Sequence, residues 1–133
     1  NGFDNIDLII VDAGGMGAGI VDNLHCKGFD AGSSPTKPNF MNLKAECGYK
    51  LAELAGEIWI KCSLPDKEIE MIRQELAMLK TYQADTDGKL RILPKEKIKE
   101  HIGRSPDWLD VFIMRMWFEI KDRGVSHQRW HIR

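Results

Sequence analysis

The sequence has 133 residues, 43% apolar and 29% charged, with Lys+Arg 19 against Asp+Glu 20 for a net charge of −1. That length suits one domain with a real hydrophobic core and leaves no room for two, and the near-neutral balance excludes a histone-like basic coat for nucleic acid. Three widely spaced cysteines, Cys26, Cys47 and Cys62, with no CxxC pair, speak against a disulfide framework or a zinc ribbon and for a reducing cytoplasm; no apolar run reaches the roughly 18 residues that a membrane span requires.

Ile6 to Val11 is nearly continuously apolar and β-branched, the pattern of a strand covered on both faces in an α/β sheet. It ends at Asp12, and Ala13-Gly14-Gly15-Met16-Gly17-Ala18-Gly19 follows as a tight turn. A helix is expected from about Ala18 to Lys27, stopped by Gly28, then a short strand over 29–31. The two prolines of 32–38 make that segment a loop, because proline cannot hold a ladder.

Phe40, Leu43, Cys47, Leu51 and Leu54 recur at spacings of three and four, which predicts a helix with one apolar stripe, Asn39 as its cap and Gly56 as its stop. Residues 57–62 alternate as a strand. Pro65 opens a helix to about Lys80, with Asp66 and Glu68 where the dipole favours acids. Residues 82–93 read as a hairpin around Asp87-Gly88, and Pro94 to Ile102 as a short basic helix ended by Gly103. Ser105-Pro106-Asp107 starts a last helix to about Lys121, so apolar on most sides that it must pack between other elements. The tail, 124–133, is polar. The sum is a mixed α/β domain over residues 1–123 with a flexible tail.

The glycine turn after a strand invites a dinucleotide-binding reading. The spacing opposes it: Ile20 stands where the fingerprint needs a small residue, Ser33 and Ser34 stand where the second strand should end in an acid, and no Lys-Ser/Thr follows for a Walker-type loop. The glycines then serve a sharp reversal that packs a helix on the sheet. Asp12 ends a buried strand, where open α/β sheets place ligands, although one carboxylate there can equally brace the turn. Asp107 and Asp110 open the apolar helix, where acids also offset the dipole. A carboxylate ending a strand and another opening a packed helix can share divalent cations, and oxygen-only ligands point to Mg²⁺ or Mn²⁺.

Asp22 reads as a surface acid and Glu46, off the apolar stripe, as part of a solvated helix face. Lys89, Arg91, Lys95, Lys97, Lys99 and Arg104 against Glu96 and Glu100 make 89–104 a +4 stretch, suited to phosphate contact or to a solvated face. His127 and His131 share a helical spacing with no acid or cysteine beside them, and His25 next to Cys26 lacks the third group that a nucleophile pair needs.

Asp12-Ala-Gly-Gly-Met-Gly-Ala-Gly-Ile-Val-Asp22-Asn-Leu, then Asn42-Leu-Lys-Ala-Glu46, then Gly103-Arg-Ser-Pro-Asp107-Trp-Leu-Asp110 occur in that order. Over residues 5–121 the sequence resembles the C-terminal nuclease domain of tailed-phage terminase large subunits. The resemblance implies an RNase H-like mixed sheet flanked by helices. It implies a metal-dependent endonuclease that cuts concatemeric double-stranded DNA during packaging, with Asp12 and Asp107 as catalytic metal ligands and Asp110 as a weaker one. Lys89, Arg91, Lys95, Lys97 and Arg104 match the part of the fold nearest the DNA path. An upstream ATPase motor, a portal and a small terminase subunit are the implied partners, in the cytoplasm of a bacterial host. The family's first metal-binding aspartate lies on an earlier strand, so the expected fold is N-terminally truncated. The alternative expectation is a catalytically inactive prophage remnant that binds DNA or protein, and an uncovered edge on the first strand would favour self-association.

Overall fold

The computed structural model describes residues 9–15, 17–58, 63–82 and 87–120. Residues 6–8 of the first expected strand, most of the strand expected over 57–62, residues 83–86 of the hairpin and the tail 124–133 lie outside the described residues, as does Cys62.

The chain opens as a β-α-β unit. Strand β1 (Ile10–Asp12) pairs in parallel with β2 (Lys27–Phe29), Ile10 opposite Lys27 and Asp12 opposite Phe29, across helix α1 (Gly17–Leu24). Ala13 N–H extends this ladder to the Phe29 carbonyl at 2.9 Å. Helix α1 stops earlier than its sequence predicts because His25 takes a φ of 49°, a left-handed conformation that breaks the helical path. Gly28, expected as the helix stop, instead lies inside β2. A Cβ there would stand 3.3 Å from both the Ala13 Cβ and a Val21 methyl, so the glycine lets the strand run close beneath α1.

Helix α2 (Leu43–Leu54) is capped by Asn42 rather than Asn39: the Asn42 side chain accepts the Ala45 N–H at 2.9 Å. Its stripe of Leu43, Cys47 and Leu51 is buried. Glu46 corrects its expected role on a solvated face. It is 3% exposed and accepts both the Thr36 N–H, at 2.6 Å, and the Thr36 hydroxyl, so it ties down the proline loop.

Pro65 precedes α3 (Asp66–Leu76), which ends before Lys80 because the Lys80 carbonyl takes the Leu93 N–H and carries the chain into β3 (Thr81–Tyr82). Strand β3 pairs antiparallel with β4 (Arg91–Ile92), Tyr82 opposite Arg91. Among the described residues the expected single mixed sheet is therefore two separate ladders. After β2, the Ala31 and Ser33 carbonyls accept Lys44 and Leu43 N–H groups at the start of α2, and the 39–41 segment bonds Leu90. Backbone groups that could have joined the ladders are committed to these loops.

Helix α4 (Lys95–Ile102) closes on Gly103, left-handed at φ 73°. The last expected helix is two, α5 (Asp107–Arg115) and α6 (Trp117–Ile120), separated at Met116, whose N–H reaches back three residues to Ile113. The break lets Ile113, Met116 and Trp117 all bury. Helix α5 is central: it packs on α2, α3 and β1, and Leu109 and Ile113 are each only 1% exposed. Burying each such side chain contributes about 1.5–3 kcal/mol. No helix among the described residues is long and apolar enough to cross a membrane.

Candidate functional site

Strand β1 packs on α5. Asp12 is the last residue of β1 and is exposed; its Oδ1 accepts the Gly14 N–H at 2.9 Å, so it braces the turn. Asp107 is the first residue of α5, also exposed. Asp110 lies one turn on and is half-buried, with both oxygens engaged: Lys44 Nζ donates to Oδ1 and Lys95 Nζ to Oδ2, each at 2.7 Å.

Lys95 is the common neighbour of the three acids. The hydrogen bond to Asp110 holds its ammonium above the ordinary lysine range against the opposing effect of burial, and the charges of Asp110, Asp107 and Asp12 add to it. Burial pushes the Asp110 carboxyl up, but the hydrogen bonds and charges of Lys44 and Lys95 outweigh it and hold the group below the usual carboxylate range. The structure thus brings all three predicted acids within electrostatic reach of a single lysine.

Asp110, expected as a weaker metal ligand, has one ammonium on each oxygen, and a carboxylate engaged in this way keeps further lone pairs. Among the described residues no group of three or more His, Cys, Asp or Glu is arranged to hold a metal. The exposed carboxylates of Asp12 and Asp107 are hard donors of the kind that Mg²⁺ and Mn²⁺ take, and Mg²⁺ is commonly held by one or two carboxylates with water and substrate phosphate completing its shell. These two residues fit such an ion, and Asp110 lies one turn along α5 from Asp107.

The basic stretch is divided: Lys89, Lys97 and Lys99 are exposed, while Arg91, Lys95 and Arg104 are half-buried in ion pairs. Arg91 binds Asp87 through two bonds of 3.0 and 3.1 Å, and these, with the Lys89 N–H, hold the Asp87 carboxyl down to about 2. Arg104, expected to face DNA, instead donates to buried Glu75, the Met71 carbonyl and Gln74, which fastens it to α3. Lys89 is exposed, and Lys97 is exposed at 3.9 Å from Glu100. Two residues of the site went unremarked in the sequence. Lys44 carries no separate sequence signal. Glu75 does carry one, an acid set in the apolar stripe Ile69, Ile72, Leu76, where a charge requires a buried partner.

No family model and no curated protein sequence matches the chain. Among solved structures, the nuclease domain of the large terminase subunit of bacterial virus Sf6 aligns at 22% identity with a TM-score of 0.60, covering 80% of this chain and 63% of that one. The chain has the fold of a terminase nuclease domain. A lysine-to-alanine variant of the Sf6 domain solved with manganese aligns at 22% identity and a TM-score of 0.62, covering 80% of this chain and 64% of that one. The same lysine variant with calcium aligns at 21% identity and 0.61, with coverage of 80% and 63%. The chain therefore spans a little under two-thirds of the terminase nuclease domains it matches.

Proposed function

We propose that the chain is the metal-dependent DNA endonuclease domain, RNase H-like in architecture, of a phage DNA-packaging terminase, with Asp12 and Asp107 holding Mg²⁺ or Mn²⁺. The observation that carries this reading is the packing of β1 on α5 beside Lys95, which is bound to Asp110 and feels the charges of Asp107 and Asp12. The solved Sf6 nuclease domain with manganese supports the same chemistry.

The residues divide the work. The Gly14 N–H fixes one oxygen of Asp12 and leaves the other available to a cation. Asp107 stands at the α5 N-terminus, where the helix dipole favours an anionic side chain. Asp110 orients Lys44 and Lys95, which set two cations beside the acids to receive a phosphodiester. A divalent cation, when bound, polarises the phosphodiester and lowers the pKa of attacking water. Double-stranded DNA is the substrate on this reading, and the motor, portal and small subunit of a packaging machine are the partners.

A second reading, a domain that binds DNA without cutting, is favoured by one observation: Asp110 is already neutralised by lysines. Mn²⁺ titration by calorimetry, run beside nicking of supercoiled plasmid, decides between them. The nuclease reading expects Mn²⁺ binding and nicking, both lost in Asp12→Asn and in Asp107→Asn. Plasmid retention without Mn²⁺ uptake or nicking would give the case to the binding module.

A further inference from the structure

A cavity of about 300 Å³ opens between the start of α2 and the β3–β4 pair. Met41 and Tyr82 line it at 44% and 37% exposure, large apolar side chains that folding has left in solvent, with Leu93 and Pro94 beside them. Lys44 and Lys95 line it too, the same two lysines that meet on Asp110. The cavity is therefore continuous with the acid site and combines an apolar wall with a cationic one.

The backbone at the start of α2 is not the cationic element. The N–H groups of Leu43, Lys44 and Ala45 go to Ser33 O, Ala31 O and Asn42 Oδ1, so none is left for an anion. The ammoniums are different. Two of them share one carboxylate, and each has three protons, of which one goes to Asp110. A bare anion would leave Met41 and Tyr82 in water, and an apolar peptide would leave the lysines unanswered. A flat apolar body joined to a phosphate satisfies both walls, and the volume is at the lower bound of small-molecule sites, which suits a single unit.

We propose that this cavity is a one-nucleotide subsite, taking an unstacked nucleotide of a DNA strand with its base on Tyr82 and Met41 and its phosphate on Lys44 and Lys95. The choice of DNA rests on the nuclease reading and extends it: the site engages one nucleotide outside the base stack next to the point of cutting. Withdrawing a base from a duplex costs free energy, so strands with an unpaired nucleotide bind more tightly than fully paired ones.

The test is fluorescence anisotropy on the 133-residue chain in EDTA, with a short labelled oligodeoxythymidine, a blunt duplex of equal length, and inorganic tripolyphosphate as competitor. The single strand is expected to bind more tightly than the duplex, and tripolyphosphate at equal phosphate concentration to displace it poorly. Tyr82→Ala is expected to weaken the single strand by about 5- to 100-fold, the range for one stacked base, with Tyr82→Phe restoring it. Thymidine monophosphate should shift the amide resonances of Ala45 and Leu93 in the wild type. Tyr82 is exposed, so a melting curve for Tyr82→Ala that overlays the wild type keeps a binding loss interpretable. Wild-type affinity in Tyr82→Ala, equal affinity for duplex and single strand, or full displacement by tripolyphosphate would overturn the subsite. No metal is present, so failure here leaves the Mn²⁺ test standing, and failure of nicking leaves this one standing.

Discussion

The carboxylate of Glu75, on α3, accepts the backbone N–H of Leu109 in the first turn of α5 at 2.9 Å. Glu75 is 1% exposed, and its other oxygen takes the Arg104 guanidinium. Helix α5 has no side-chain cap of its own, because Pro106 stands at its N-cap position. A residue distant in sequence thus does the work of a cap and sets where Asp107 and Asp110 start. Trp108 adds a second tie through its indole N–H to Glu68 at 3.1 Å.

Glu75→Ala takes the carboxylate from a partly buried guanidinium, which keeps only the Met71 carbonyl and Gln74, and leaves the buried Leu109 N–H without its acceptor. Losing one partner of a buried pair costs about 3–5 kcal/mol, a large share of a stability of about 5–15 kcal/mol. Glu75→Gln keeps an oxygen for Leu109 and loses the charge, so its cost is expected nearer 1–3 kcal/mol. Urea unfolding followed by circular dichroism measures both. Equal losses in the two variants would show that the charge, not the cap, is what α5 depends on.

The Asp110 pair gives stability a dependence on pH at both ends, best read in metal-free buffer. Asp110 holds its proton less tightly folded than unfolded, so its contribution is present above about pH 4 and is lost as pH falls through the folded value. Lys95 holds its proton more tightly folded, so its contribution is present below about pH 10.4 and is lost as pH rises through the folded value. Asp110→Asn removes both arms and costs about 1–3 kcal/mol at neutral pH. Melting temperature against pH is expected to show two slopes in the wild type and a flatter profile in the variant; superimposable profiles would remove the pair from the account.

The parts of this site legible in the sequence are those with a local cause. Asp12 follows an apolar β-branched run and Asp107 follows Ser-Pro, so each announces its place at the end of an element. Glu46 was not legible as a buried acid, since what buries it is a loop hydroxyl from Thr36, whereas Glu75 stands in the apolar stripe of α3 and only its partner Arg104 was hidden. The early end of α1 has the same character. Gly28 looked like a stop, yet its role is set by how closely β2 passes Val21 and Ala13, a packing relationship rather than a propensity. The split between α5 and α6 likewise answers to the burial of Met116 and Trp117, which no helical wheel of the segment encodes.

Cys47 is expected to be inert until the protein unfolds. Burial, and after it the negative charge of Glu46, pushes its thiol up to about 12, so the thiolate that reacts is scarce near neutral pH. Cys26 is only half-buried. Iodoacetamide labelling resolved by peptide mass spectrometry should therefore modify Cys26 first and Cys47 in step with urea unfolding. Rapid labelling of Cys47 in native buffer would contradict its burial between α2 and the core.

Two glycines of the same helix should answer opposite ways to the same substitution. A Cβ on Gly17 would stand 1.7 Å from the Asp12 carbonyl oxygen, a contact that no side chain can accommodate without moving the backbone. Gly17→Ala must push α1 off the end of β1, at a cost of about 1–3 kcal/mol, and it displaces Asp12, so Mn²⁺ affinity should fall with it. A Cβ on Gly19 meets nothing within 4 Å, and inside a helix alanine restricts the unfolded chain more than glycine does, so Gly19→Ala should stabilise by about 0.4–1 kcal/mol. Melting temperatures of the two variants are expected on either side of the wild type. If Gly17→Ala melts at or above the wild type, the close approach of α1 to Asp12 is wrong, and with it the turn that aims Asp12 at the site.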